Sequence, residues 1–281
     1  MKLTYLGTAA AEGIPALFCE CDICRYALIR GGRNLRMRSC AMIDDSIMID
    51  FPPDMLSSRV KYRLNLAKLN AVFFTHSHID HLASKELCYY HKMYSNRENP
   101  RSVLHLYGNE KVLDTIRQDF VFDMNRLPGC VALHPVTPFQ AVVVGSTAIT
   151  PLPALHDRRE QCMIYLIERP GIRVLYANDT TMLPEETLTF LKGKRLTLAS
   201  LDCTTGRHAC HTSHMGFPDN LKLKDRFIEL GAADENTRFI SHHFSHNGHV
   251  NYDDFPGLSG NSGFESSYDG MEILLEEGAC K

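Results

Sequence analysis

The sequence predicts an α/β (α+β) fold: two β-sheets packed face to face with helices on the outside, an αβ/βα sandwich in one domain spanning residues 1–281. Three observations predict it. Apolar runs of strand length come first as hairpins and later alternate with helical segments. The 281 residues, 44% of them hydrophobic, supply an ample core. Polar, metal-ligating residues recur just past the ends of those apolar runs, where a sheet edge can deliver them to one cleft.

The elements follow in order. Leu3–Leu6 reads as a strand. Ala41–Ile43 and Ile47–Asp50 are strands joined by the turn Asp44-Asp45-Ser46. Residues 54–69 look helical, and Ala71-Val72-Phe73-Phe74 is a buried strand. A helix is expected over Leu82–Tyr94, with Ala83, Leu87, Tyr90 and Tyr94 spaced to line one face. Val103–Tyr107 is a strand, followed by a helix near Asn109–Phe120. Ala141–Val144 and Thr147–Leu152 pair across Gly145-Ser146, and Met163–Glu168 and Arg173–Ala177 across Pro170-Gly171. Pro184–Leu191 is a short helix with Pro at its start. Leu196–Leu201 is a strand, residues 218–230 a helix, Arg238–Ser241 a strand and Met271–Leu275 the last strand. There is no internal repeat, low-complexity tract or long linker.

Composition narrows the function. The net charge of −3 argues against a general nucleic-acid surface. No apolar run is long enough to span a bilayer, and the first residues alternate like a strand rather than a signal peptide, so a cytoplasmic location is expected. Fourteen histidines are the compositional excess. Ten cysteines in a reducing compartment read as thiols or metal ligands rather than disulfides.

Thr75-His76-Ser77-His78-Ile79-Asp80-His81 carries the chemistry. Imidazole and carboxylate ligate zinc, manganese or iron. One turn cannot aim four donors at a single ion. His76 and His78 can point one way and Asp80 and His81 the other, which suits two metals roughly 3.5–4 Å apart. Further donors follow later strands: His156-Asp157, Asn178-Asp179 and His242-His243.

The order HxHxDH, then His, Asp and His, resembles the metallo-β-lactamase superfamily over most of the chain. The resemblance implies that fold and a hydrolase. His76, His78 and His156 would hold a first metal. Asp80, His81 and His243 would hold a second, and Asp179 would bridge them. Asp50 matches the superfamily's aspartate that orients a ligand. His243 is preferred to His242.

Phe18-Cys19-Glu20-Cys21-Asp22-Ile23-Cys24 holds a CxCxxC cluster, three thiolates of a tetrahedral zinc site with one ligand missing. A closed site of this kind would be structural and pin a loop at about 19–24. The residues from Gly7 to Ala16 followed by CxCxxC, the closing Tyr268-Asp269-Gly270-Met271-Glu272-Ile273, and His243-Phe244-Ser245-His246 resemble the PhnP-type phosphodiesterases associated with the carbon–phosphorus lyase pathway. The resemblance implies that His246 completes the zinc site with Cys19, Cys21 and Cys24, and that His214 is an active-site histidine. Asp157-Arg158-Arg159-Glu160 and the stretch from Cys203 to Cys210 depart from that branch and lie where substrate could sit.

The expected activity is hydrolysis of a small cyclic phosphodiester, of the 5-phosphoribosyl 1,2-cyclic phosphate or 2′,3′-cyclic nucleotide type, by two divalent ions (zinc, manganese or iron) beside one structural zinc. His214 and Asp80 are the catalytic residues, His214 as acid to the leaving alkoxide. Arg158 and Arg159 could bind a second phosphate. No membrane or nucleic-acid partner is expected, and a homodimer is one form open to the chain. The alternatives are a nuclease or lactonase of the same fold, a redox diiron protein, and a PqqB-like carrier with an idle site.

Overall fold

The computed structural model describes residues 1–99, 101–120, 129–210 and 212–276. They form two seven-stranded sheets. In spatial order the first contains Met271–Leu274 (β14), Lys2–Gly7 (β1), Cys40–Ile43 (β2), Ile47–Ile49 (β3), Ala71–Phe73 (β4), Leu104–Gly108 (β5) and Val131–Pro135 (β6). The second contains Phe264–Ser266 (β13), Arg238–His242 (β12), Leu198–Asp202 (β11), Ile172–Ala177 (β10), Met163–Arg169 (β9), Thr147–Pro153 (β8) and Val142–Val144 (β7). Strands β3 to β6 run parallel, as do β10 to β13, and the other pairs are antiparallel. Central parallel strands are covered on both faces, which is why they read as unbroken apolar runs.

The period-two alternation of each strand divides its side chains between layers. Ile47 and Ile49 point between the sheets with Tyr5, Phe73, Tyr165, Tyr176 and Ile240. Met48 points outward, with Val72 and Leu106, under Met55–Tyr62 (α2) and Glu110–Asp119 (α3). On the far side Leu175, Ala199 and Phe239 pack under Glu185–Leu191 (α4) and Phe217–Glu229 (α5). The layers are therefore helix, sheet, sheet, helix. Asp44 and Asp45 both take positive φ, 46° and 59°, as a tight hairpin turn requires. Gly7 lets β1 pass the Arg38 carbonyl: an added Cβ would sit 1.9 Å from that oxygen. Among the described residues no helix is long and apolar enough to cross a membrane.

Two expected helices differ. The segment 54–69 is helical only to Tyr62, where Arg63 turns left-handed (φ 54°), and a 3₁₀ turn, Leu66–Lys68, follows. Over Leu82–Tyr94 the chain forms a 3₁₀ segment, Ser84–Tyr90, instead of an α-helix. Its entry is tied down: Phe51 donates to the His81 carbonyl and Ala83 to the Phe51 carbonyl, both at 2.8 Å. Of the four side chains spaced to line one face, only Leu87 is buried, and Tyr94 is 53% exposed. Helices Asp22–Arg30 (α1) and Phe255–Ser259 (α6), and strands β6 and β13, were not expected from the sequence.

Candidate metal centre

The site is built at strand ends. β3 leads to Asp50, β4 to Thr75 and His76, β8 to His156, β10 to Asp179, β11 ends in Asp202, and β12 leads to His243. Asp50, Asp179 and His243 take positive φ of 63°, 52° and 61°. Such a backbone costs a non-glycine residue on the order of 1–3 kcal/mol, and here it turns each side chain off its sheet and into the cleft. His76, His78 and His156 form one group of donors, and Asp80, His81, Asp179 and His243 another, with ligand atoms within 4.8 Å of one another in each.

The histidine partners decide which nitrogen faces the cleft. His81 donates from Nδ1 to Asp50 Oδ2 at 2.7 Å. Asp50 also accepts from the Thr75 N–H at 2.8 Å and from its hydroxyl. His76 Nδ1 lies 3.0 Å from the Thr75 hydroxyl, and His243 Nδ1 2.8 Å from the Thr204 hydroxyl. His156 donates from Nδ1 to the Ser213 carbonyl at 3.1 Å. His78 is reversed: Nε2 meets Asp157 Oδ2 at 3.0 Å, leaving Nδ1 3.3 Å from His156 Nε2. Each ring thus has one nitrogen anchored and the other free, the arrangement that fixes tautomer and aim in metal-ligating histidines.

The free atoms converge. His81 Nε2 is 3.0 Å from Asp80 Oδ2 and 2.6 Å from Asp179 Oδ2, and His243 Nε2 is 3.1 Å from the same Asp179 oxygen. His76 Nε2, His81 Nε2, His243 Nε2 and Asp179 Oδ2 are all buried without a properly directed hydrogen bond. Each such atom costs about 1–3 kcal/mol when left unsatisfied. Divalent cations fit this donor set and would remove the cost. His242 is also buried but faces elsewhere, held by Ser39, Tyr176 and Ser267.

His214 closes the same cleft. Its Nδ1 lies 3.0 Å from Asp202 Oδ2 and 3.4 Å from Asp179 Oδ1. Burial disfavours the imidazolium, but the Asp202 and Asp179 carboxylates outweigh it and hold the imidazole up at about 9. Asp202 is fully buried and also accepts from the Thr204 and Met215 N–H groups at 3.0 Å each.

The charged stretch after His156 supports the HxHxDH loop. Asp157 holds His78 and is gripped by Arg159, whose bonds keep its carboxyl below the usual range. Glu160 accepts from the Ser77 N–H and hydroxyl and from Asn109. Arg159 is therefore engaged by Asp157 rather than free for a second phosphate, while Arg158 is exposed.

Cys19, Cys21, Cys24 and His246 form a third group of donors. His246 Nδ1 is 3.4 Å from both Cys19 Sγ and Cys21 Sγ. Cys24 already belongs to α1, for which Cys21 is the cap. Burial opposes the Cys21 thiolate, yet the Cys24 N–H, His246 and the neighbouring thiols bring that thiol down to about 6, while burial pushes Cys24 up to about 12. A tetrahedral zinc suits three sulfurs and one imidazole at this spacing. Glu12 backs the ring from Nε2 at 3.5 Å.

Residues 46–244 match the family described as "Beta-lactamase superfamily domain", and the chain belongs to it. The chain is 25% identical over 297 residues to an octanoyltransferase of Porphyromonas gingivalis, covering 99% of this chain and 52% of that protein. It is 27% identical over 195 residues to coenzyme PQQ synthesis protein B of Methylobacterium radiotolerans, covering 65% of this chain and 56% of that one. It thus spans about half the length of the curated relatives it matches. A crystal structure described as a new diphosphatase from the PhnP family superposes with a TM-score of 0.75, at 21% identity and 98% coverage of both chains. The PhnP-like metallo-β-lactamase fold expected from the sequence is the fold observed.

Proposed function

We propose that the chain is a metal-dependent hydrolase of a small cyclic phosphodiester, with two divalent ions at the His/Asp site and one zinc at the Cys₃His site. The observation that carries this reading is the set of histidines whose outer nitrogens are all anchored and whose inner nitrogens gather in two groups, His76, His78 and His156 in one and His81 and His243 beside Asp179 in the other. His76, His78 and His156 would hold one ion, Asp80, His81 and His243 the other, with Asp179 between them. When bound, the ions neutralise phosphate oxygens and acidify water. His214 supplies what they do not. Asp202 anchors its Nδ1 and favours the imidazolium, so Nε2 can give a proton to the departing alkoxide. Likeness to a PhnP-family diphosphatase supports a phosphorus substrate.

The test is turnover of 2′,3′-cyclic AMP and bis(p-nitrophenyl) phosphate by metal-loaded protein, wild type and His214→Ala. The variant should lose about 10²–10⁴-fold on the cyclic nucleotide and far less on the p-nitrophenyl ester, whose leaving group needs little proton assistance. Absence of diester turnover in fully loaded protein would reject the reading. A second reading, acyl-ester cleavage, has its own support. Ile79, between ligand candidates His78 and Asp80, is 82% exposed, and Leu155 beside His156 is 47% exposed, so apolar surface flanks the site. One relative is named octanoyltransferase. Faster hydrolysis of p-nitrophenyl octanoate than of either diester would favour it.

A further inference from the structure

The donor group Asp80, His81, Asp179 and His243 straddles the two sheets. Asp80 and His81 follow β4 of the first sheet, whereas Asp179 follows β10 and His243 follows β12 of the second. The size of the site therefore depends on how the strand ends of one sheet are held against the other. On the first-sheet side, Tyr165 of β9 donates to the Phe74 carbonyl at 2.6 Å, and the Met163 N–H donates to the Thr75 carbonyl at 2.9 Å. Those bonds hold β9, not the ends of β10 and β12.

One hydroxyl meets the residue ahead of each second-sheet donor. Asn178, ahead of Asp179, donates from Nδ2 to Ser39 Oγ at 3.0 Å. His242, ahead of His243, places Nε2 2.8 Å from the same oxygen. Ser39 directly precedes β2 of the first sheet, and Ser39, Asn178 and His242 are all fully buried. The protons can all be placed. His242 Nδ1 lies 3.0 Å from the Ser267 hydroxyl and gives its proton there. Its Nε2 then accepts from Ser39 and from the Tyr176 hydroxyl, 2.9 Å away. A hydroxyl carries one proton and two lone pairs, so Ser39 accepts from Asn178 while it donates to His242. We propose that Ser39 is a positioning residue for the metal centre: its hydroxyl pins the ends of β10 and β12 to the first sheet and so sets where Asp179 and His243 stand relative to Asp80 and His81. The backbone shows why a pin is needed. Asp179 and His243 hold φ of 52° and 61°, a conformation that non-glycine residues leave unless their surroundings fix it. Metal–ligand distances tolerate only about 0.2 Å, so a small drift of either strand end is felt. This role rests on the reading of the group as a metal site.

The test uses the full chain, with zinc kept at the Cys₃His group and cobalt(II) supplied to the His/Asp group after mild chelation. Wild type is compared with Ser39→Ala, Asn178→Ala and Tyr176→Phe. The first two cut the link between Asn178 and His242 from its two sides, so the second serves if the first does not fold. Tyr176→Phe removes a hydroxyl from the same buried network and leaves the link in place. It reports what loss of a buried hydrogen bond does by itself. All three should melt below wild type before cobalt is added. Ser39→Ala and Asn178→Ala should also weaken cobalt binding about 10-fold, the low end of the cost of losing a ligand's outer partner, and should alter the visible d–d spectrum that reports cobalt geometry. Tyr176→Phe should keep the wild-type affinity and spectrum. Unchanged cobalt binding and spectrum in the link variants would overturn the proposal and leave the metal reading intact. An equal loss in Tyr176→Phe would do the same, since Ser39 would then be one stabilising contact among others. Wild type that takes up no cobalt beside its zinc would overturn the metal reading itself, and the role of Ser39 with it.

Discussion

Asp202→Asn separates His214 as a proton donor from His214 as a filler of the cleft. Burial alone would lower the imidazole; the carboxylate, fully buried and 3.0 Å from His214 Nδ1, is the main group that opposes it, with Asp179 beside it. Holding the group at about 9 against an ordinary value near 6.5 corresponds to about 3 kcal/mol in favour of the imidazolium. Asparagine keeps an oxygen for the Thr204 and Met215 N–H groups but removes the charge, so His214 should titrate well below its wild-type value of about 9. The sign for stability follows from a raised folded value. In metal-free protein this stabilisation is complete below about 6.5 and is lost as pH rises through about 9. The assay is an NMR titration of His214 in metal-free protein beside kcat/KM of the loaded enzyme. The variant should fall about 10²–10⁴-fold on 2′,3′-cyclic AMP, the weight of general acid catalysis, and much less on bis(p-nitrophenyl) phosphate. An unmoved His214 titration, or equal losses on both substrates, would refute the reasoning.

Other outcomes follow from the same geometry. Asp50→Asn, through His81, and Asp157→Asn, through His78, should each weaken metal affinity about 10- to 100-fold, the usual cost of losing a ligand's outer partner. Competition with a chelator reads this, and unchanged affinity would make those bonds incidental. Cys21→Ser should lose one zinc per chain and lower the melting temperature while the His/Asp ions remain exchangeable, as elemental analysis before and after mild chelation would show. Gly7→Ala should cost on the order of 1–3 kcal/mol by overpacking against the Arg38 carbonyl, measured by chemical denaturation.

The parts of the fold visible in the sequence are those where one physical signal dominates. β3, β4, β10 and β12 are buried on both faces, so their apolar runs stand out. β6 and β13 do not: each is a sheet edge, the first half-exposed and ending in Pro135, the second only three residues long. The apolar spacing from Ala83 to Tyr94 suggested an α-helix, but pairing of that segment's entry with Phe51 decides its backbone, and no local pattern records a tertiary contact. In the site, the residues expected as metal donors are brought together in three groups. Asp202 was missed although it ends an apolar strand as Asp50 and Asp179 follow theirs, so the same rule applied once more would have found it. Thr204, Asp157 and Glu160 act through partners distant in sequence, and Glu160 reaches Ser77 across 83 positions. No spacing rule contains such a bond.

The central claim is that one aspartate joins two ions beside a separate zinc. Elemental analysis of purified wild type and Asp179→Ala, with turnover measured on the same samples, tests it most directly. The account predicts three metals per chain in wild type. In the variant both His/Asp ions should be lost together while one zinc remains, and activity should disappear. A variant that loses a single ion, or that keeps near wild-type turnover, would contradict it.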